Sequence, residues 1–544
     1  MSIFPGLDPV YRSSRSPVMG RGGIAASSQP LATAAGLEIL SLEGNAADAA
    51  VAMAAALNVT EPTSTGLGGD MFALFFEADT GTITALNGSG RSPEALNLDL
   101  LEEHGIREIP PYHPYNVTVP GACAGWCDLV ERHGTLTLPV ILAPAIHLAE
   151  TGFPVAPITS HFWKRAAENQ LKTALNGQEM LIKGRGPDPG EIFINSGLAR
   201  TLRTIAEGGK DAFYNGYIAD VIVRTLTSAG GCMRKEDLEK HTSTWDEPIS
   251  TSHSRLRLWE CPPNGQGIAT LLALNILEGF DLPVDPLDPL RLHLEIEAMR
   301  LAFADTNWYV ADPRIVQVPV DELISKDYAS QRRKLINPKQ ATLDHRKGSP
   351  ASGSDTVYFC VVDQWGNACS FINSNYMGFG TGIVPKGCGF TLQNRGGGFS
   401  LDRNHPNCLA PGKRPYHTII PAMITREANG SLIGPMGVMG GYMQPQGHLQ
   451  VFLALAQGLD PQHALDLPRF SINDGKSGGL VSLEDGIPLK VIRALKELGH
   501  EVKRVKGWER ALFGRGQVIL REEETGILTG GSDPRADGCA MTLL

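Results

Sequence analysis

The sequence predicts an α+β protein built on layered sheets rather than a bundle of helices. Sixty-one glycines and 37 prolines in 544 residues call for many turns and close backbone approaches. The pattern also changes along the chain. Residues from about 94 to 337 carry mostly helical periodicity, a polar Ser/Gly/Pro-containing linker occupies 338–355, and short β-rich segments with glycine turns follow. Length alone suggests roughly three or four domains, and no internal repeat is visible.

In chain order, the segment 31–40 places its apolar residues on one face, with Pro30 in the first turn and Gly44-Asn45 as a stop. A second helix is predicted over 46–59; it is Ala-rich, contains Asp48 and Asn58, and reads as buried core. The turn Thr65-Gly66-Leu67-Gly68-Gly69-Asp70 leads into a strand at 71–76, with a hairpin partner at 82–86. Gly20-Arg21-Gly22-Gly23 mimics a dinucleotide fingerprint but lacks the preceding strand, so no cofactor is expected.

Helices are then predicted over 122–133, 140–151, 198–207, 218–229 and 291–309. In the last of these, His293, Glu295 and Glu297 sit at alternate positions, which fall on different helix faces. They read as a carboxylate-exposed helix. The histidines are dispersed, and no metal is expected. Arg332-Arg333-Lys334 reads as a solvated helix face. Beyond the linker, strands are predicted at 359–362, 368–373, 390–392 and 418–424 and a helix at 447–457, followed by a later α/β stretch that ends in 516–520 and 533–538.

Composition removes several classes of function. The formal charge of −10 speaks against binding a phosphate backbone, so no nucleic acid is expected. No apolar run reaches the roughly 18 residues of a membrane span. Nine scattered cysteines, an odd number without zinc-finger spacing, and no visible secretory signal point to reduced thiols and a cytoplasmic location.

The most informative stretch is 352–382. A short polar run ends at Thr356, a β-rich segment 357–362 follows at once, and Asp363, Gly366 and Asn367 supply a turn into a second β segment. A flexible linker is a natural place to cut a chain. A threonine exposed as a new N-terminus can use its own amine to activate its hydroxyl. Thr356 is therefore the candidate nucleophile of an amide hydrolase.

Around it stand Pro30-Leu31-Ala32, Gly44-Asn45-Ala46-Ala47-Asp48, Gly66-Leu67-Gly68-Gly69, Arg91-Ser92-Pro93, Val119-Pro120-Gly121, Ala302-Phe303-Ala304-Asp305, Val361-Val362-Asp363, Gly380-Thr381-Gly382, Lys413-Arg414-Pro415 and Gly440-Gly441. In this order and spacing the chain resembles the γ-glutamyltransferase family of N-terminal-nucleophile hydrolases over nearly its whole length. The resemblance implies a four-layer αββα sandwich made as a precursor that cleaves itself between Asp355 and Thr356. It implies a large chain of 1–355 and a small chain of 356–544. Ser374 falls where the family has a hydroxyl bonded to the nucleophile, Gly440-Gly441 where it has the oxyanion hole, and Arg91 where it clamps a substrate carboxylate. Taken alone, these residues would read as a turn serine, a tight turn and a surface arginine.

The substrate-binding positions depart from the family pattern. Gly398 stands where an acidic partner for the substrate ammonium is expected, Arg395 where a glutamine is, Tyr376 where an asparagine is, and His417-Thr418 where a serine pair is. Losing the carboxylate and gaining a guanidinium disfavours an amino-acid head group. The expected function is a self-processing amidohydrolase or acyltransferase acting on a small carboxylate-bearing amide, oxamate-like or glutaryl/γ-glutamyl, as in the branches resembling oxamate amidohydrolase and cephalosporin acylase. The rivals are a true γ-glutamyltransferase or glutathione hydrolase and an inactive member serving as a scaffold. A Ser-His-Asp hydrolase lacks its nucleophile elbow here. The expected partners are the amide substrate and the two chains of the precursor, with homo-oligomerisation left open.

Overall fold

In the computed structural model the described residues are 15–342, 355–473 and 479–544. Most of the linker predicted at 338–355 lies outside them, and so does the side chain of Asp355. Fourteen strands build the two main sheets: β1 (Val18–Gly20), β2 (Gly23–Ser27), β3 (Asp70–Glu77), β4 (Thr82–Gly88), β5 (Thr244–Asp246), β6 (Ile249–His253), β7 (Leu256–Glu260), β8 (Asp355–Asp363), β9 (Ala368–Tyr376), β10 (Ala422–Arg426), β11 (Leu432–Met439), β12 (Arg515–Arg521), β13 (Leu528–Ser532) and β14 (Cys539–Thr542). The first sheet has the order β14-β2-β8-β9-β3-β4-β5 and the second β1-β13-β12-β11-β10-β7-β6.

Helices α1 (Pro30–Ser41), α2 (Ala46–Thr60), α3 (Ala122–His133), α4 (Leu138–Thr151) and α5 (Ser196–Tyr214) pack on the outer face of the first sheet. Helices α6 (Gly267–Leu277), α7 (Pro289–Tyr309), α8 (Met443–Ala456) and α9 (Leu489–Glu497) cover the second. A third cluster, including Phe72, Ile372, Met423 and Ile519, fills the space between the sheets. The layers are therefore α-β-β-α, as the resemblance implied. None of the described helices is long and apolar enough to cross a membrane.

Local chemistry explains why the central strand sits where it does. Every residue of α2 is buried, and its alanines let it approach β8 closely. Its N-terminus carries a capping box: Asn45 accepts from the N–H groups of Ala47 and Asp48, and Asp48 returns a bond to Asn45 N–H. Asp363, at the end of β8, adds its carboxylate to Ala46 N–H at 2.9 Å. Along β8 the side chains alternate, with Val357, Phe359 and Val361 toward the helices and Tyr358, Cys360 and Val362 toward the other sheet.

Three expectations are corrected. His293, Glu295 and Glu297 are not on a solvated face; all three are at most 2% exposed. Helix α7 is enclosed by α6, α9 and a short strand at Phe470–Ile472, so its polar residues must find partners, and Glu295 takes Arg291 at 2.7 Å. Arg333 is half-buried and donates to the carbonyls of Asn275 and Ile276, which end α6, while Arg332 pairs with Asp305. Residues 390–392 form no strand, although Leu392 N–H still bonds the Ile383 carbonyl.

Candidate active site

Thr356 begins the buried part of β8, in the middle of the first sheet. The register with β9 shifts between Asp355 and Val357, so the threonine sits at a bulge, a device that re-aims a side chain. It is fully buried, and its Oγ1 lies 3.0 Å from Ser374 Oγ. Ser374 Oγ also accepts the N–H of Tyr376 at 2.9 Å and a guanidinium N–H of Arg395 at 3.4 Å. Tyr376 has φ +76°, an uncommon conformation for a side chain of its size, and its ring lies under the Arg395 guanidinium at 4.3 Å.

Arg395 is wholly buried. Its Nη1 donates to Thr418 Oγ1 at 2.8 Å, and among the described residues its Nε has no hydrogen-bond partner and no carboxylate pairs with it. Burial weakens its hold on the proton, and Asp70, Tyr376 and Tyr442 only partly offset this, leaving its pKa at about 10. Gly398, three residues on, has no room for the expected acid: a Cβ there would lie 2.7 Å from the Tyr416 carbonyl oxygen.

Behind Arg395 stands Asp70, a residue the sequence reading left without a role. Its carboxylate accepts from Gly90 N–H, Gln393 Nε2 and His417 Nε2, at 2.9, 3.0 and 3.0 Å. Burial would raise its pKa, but His417, Arg395 and Gly90 together bring it below the ordinary carboxylate range. His417 is held neutral, its pKa pushed down to about 3 by burial and the Arg395 charge. Its Nδ1 accepts Ile419 N–H, so Nε2 carries the proton given to Asp70. The visible signal for Asp70 was its place at the end of a glycine turn: Gly69 lies so close to β9 that a Cβ would come within 2.3 Å of the Ser374 carbonyl oxygen.

Gly440 and Gly441 form the turn between β11 and α8, with φ of +127° and +59°. No described backbone carbonyl accepts the N–H of either. Gln266 fixes the turn from below, its Nε2 donating to the carbonyls of Gly441 at 2.8 Å and Thr418 at 2.6 Å. Gly437 lies flush on the ring of Tyr358, two residues after Thr356, so β11 delivers its terminal turn to the same end of the sandwich as the threonine. Two cavities of about 630 and 650 Å³ reach this region and share Tyr376, Met377 and Tyr442 in their walls.

Arg91 is the expected site residue that the contacts do not bring to Thr356. Its Nη1 donates to the Thr242 carbonyl at 3.3 Å, and it faces Arg314 and Asp312.

The model of the gamma-glutamyltranspeptidase family matches residues 32–543. The glutathione hydrolase-like YwrD proenzyme of Bacillus subtilis is 36% identical, over 97% of this chain and 99% of its own. The oxamate amidohydrolase proenzyme of Klebsiella pneumoniae is 34% identical, over 95% and 98%. The crystal structure of a cephalosporin acylase from Bacillus halodurans superposes with a TM-score of 0.91 at 44% identity, covering 99% of both chains. The fold and these likenesses agree: the chain belongs to the gamma-glutamyltranspeptidase family and is a hydrolytic enzyme of the N-terminal-nucleophile type.

Proposed function

We propose that the chain cuts itself between Asp355 and Thr356, giving a large chain of 1–355 and a small chain of 356–544, and that Thr356 then hydrolyses a small amide whose acyl group carries a carboxylate but no ammonium. The observation that carries the substrate reading is Arg395: a buried cation beside the Thr356–Ser374 hydroxyl pair, donating to hydroxyls only, with no described carboxylate partner. A desolvated guanidinium in that state gains most from an incoming anion. Gly398 leaves a substrate ammonium without an acid, and the oxamate amidohydrolase and acylase relatives support the same choice.

In this reading the cut frees the Thr356 amine, whose pKa of about 7.7–8.0 leaves a useful neutral fraction near pH 7 to act as general base. The Thr356 hydroxyl attacks the amide carbon, and Ser374, 3.0 Å away, orients that hydroxyl. The N–H groups of Gly440 and Gly441 receive the oxyanion, a donor of this kind being worth roughly 3–4 kcal/mol in the transition state. The amine leaves, water attacks the Thr356 ester, and the acid departs. Tyr376 and Thr418 shape the pocket with Arg395, and His417 keeps Asp70 in place beneath it. Nine free thiols support a reducing, cytoplasmic setting.

Side-by-side assays of oxamate, a glutaryl amide and a γ-glutamyl anilide test the proposal. A carboxylate-only substrate should be preferred. A clear preference for the γ-glutamyl compound would instead make the chain a glutathione hydrolase, the activity named for a relative 31% identical to it.

A further inference from the structure

Helix α7 holds a polar cluster that the hydrolytic reaction does not use. His293 and Glu297, four residues apart, share one face of the helix, and His500 meets them from the turn after α9. All three are buried, and their ligand atoms lie within 4.8 Å of one another. The orientation of the rings is informative. His293 Nε2 faces the Asn337 carbonyl at 2.9 Å and must donate to it, so Nδ1 is a lone pair, directed at His500 Nε2 at 2.7 Å. A ring nitrogen tied to a backbone carbonyl, with the other left as a lone pair, is the usual setting of a metal-bound histidine. His500 is 3% exposed, and its Nδ1 has no partner among the described residues, so no other bond fixes its tautomer. Glu297 takes Thr342 N–H on Oε2. Arg300 stays 3.9 Å from Glu297 and donates to the carbonyls of Thr342 and Gly479.

We propose that His293, Glu297 and His500 bind a divalent transition ion of the Zn²⁺ class. Two imidazoles and one carboxylate suit a borderline ion, whereas Ca²⁺ and Mg²⁺ favour oxygen-only sets. Nitrogens bound to a tetrahedral ion at 2.0–2.1 Å stand roughly 3.3 Å apart, so uptake parts the facing rings by a little over half an ångström. His293 and Glu297 precede the cut proposed above and His500 follows it, so the ion joins the two chains. That joining role rests on the proposed cut; the binding does not.

The full chain, stripped with a chelator, is titrated with Co²⁺ as a spectroscopic probe. One equivalent should produce visible d–d bands, removed by competing Zn²⁺. Glu297→Gln and His500→Gln should each weaken uptake by roughly tenfold or more, and His147→Gln, an exposed control, should not. Wild-type protein without stoichiometric uptake, or His500→Gln with undiminished uptake, would overturn the site, and the first result needs no variant to fold. The chelator should lower the melting temperature of the cut protein more than that of the uncut Thr356→Ala precursor; equal sensitivity would overturn the joining role. A wild-type chain that never cuts but still takes up one Co²⁺ would fail the proposed function and leave the site standing.

Discussion

Two buried arginines of this chain are held in opposite ways. Arg535 donates through Nε and Nη2 to Glu484 at 2.7 and 2.5 Å and through Nη1 to Asp533 at 2.9 Å, while Arg469 takes the other oxygen of Asp533 and Arg510 shares Glu484. Burial alone would weaken its grip on the proton, but the two carboxylates reverse that and raise its pKa above the ordinary value. Arg395 is buried as deeply, has only hydroxyls and an aromatic face, and is lowered. The same side chain at the same depth is thus a finished structural joint in one place and an unfinished one in the other. The unfinished one stands beside the Thr356–Ser374 hydroxyl pair, and a bound anion would complete it.

The largest effect expected in testing this contrast comes from removing the Thr356 hydroxyl, which reaches Arg395 through Ser374. Thr356→Ala should stay a single band on a denaturing gel and lose activity by at least about 10⁴-fold. In that uncut background, where one chain unfolds, Arg535→Met should cost roughly 3–5 kcal/mol in chemical denaturation, because Glu484 and Asp533 lose the cation they share and keep only Arg510 and Arg469. Arg395→Met should leave stability within about 1 kcal/mol or raise it. In the cutting protein the same change should lower kcat/KM for a carboxylate-bearing amide by roughly one and a half to three and a half powers of ten, the 2–5 kcal/mol typical of a lost buried charge partner. An Arg395→Met protein that is destabilised and fully active would abolish the contrast.

The two regions should also separate by pH. His417 and His241 have folded pKa values near 3, below the unfolded value near 6.5. Between these values the unfolded state binds more protons, so stability falls as the pH drops below about 6.5. Glu484 and Asp533 are shifted below their ordinary values, so their contribution is complete above about pH 5 and is lost only on further acidification. Melting curves from pH 7.5 to 3 should show both windows, and His417→Gln should make only the upper one shallower, the contribution of His241 remaining. The smallest effect is at a helix end: Asn45→Ala removes the cap of α2 and should cost about 1 kcal/mol, read from the denaturation midpoint.

The parts legible in the sequence were those set by local rules. Pro30, Asn45 and the alanine run placed α1 and α2 almost to the residue, and the motif order singled out Thr356 and Ser374, whose hydroxyls lie 3.0 Å apart. What was not legible depended on neighbours distant in the chain. Residues 293–297 looked solvated because periodicity reports the face a helix offers, not whether another layer covers its far side. Asp70 needed His417 and Gln393 beside it before it had a role, and these lie more than 320 residues away. Arg91 followed the motif, but its side chain donates to the Thr242 carbonyl, a contact no motif includes.

The strand order has a consequence for how such a molecule can be lost. In the first sheet β8 lies between β2 and β9, and β14 lies beyond β2. A cut before Thr356 therefore leaves strands of the two products interleaved in one hydrogen-bonded ladder, and the second sheet mixes them as well. The mature enzyme would be an obligate heterodimer that had folded as one chain. Once unfolded, its pieces would have to find each other by collision, so recovery would depend on concentration and compete with aggregation. The precursor would renature unaided, while the working form would persist through the height of its unfolding barrier.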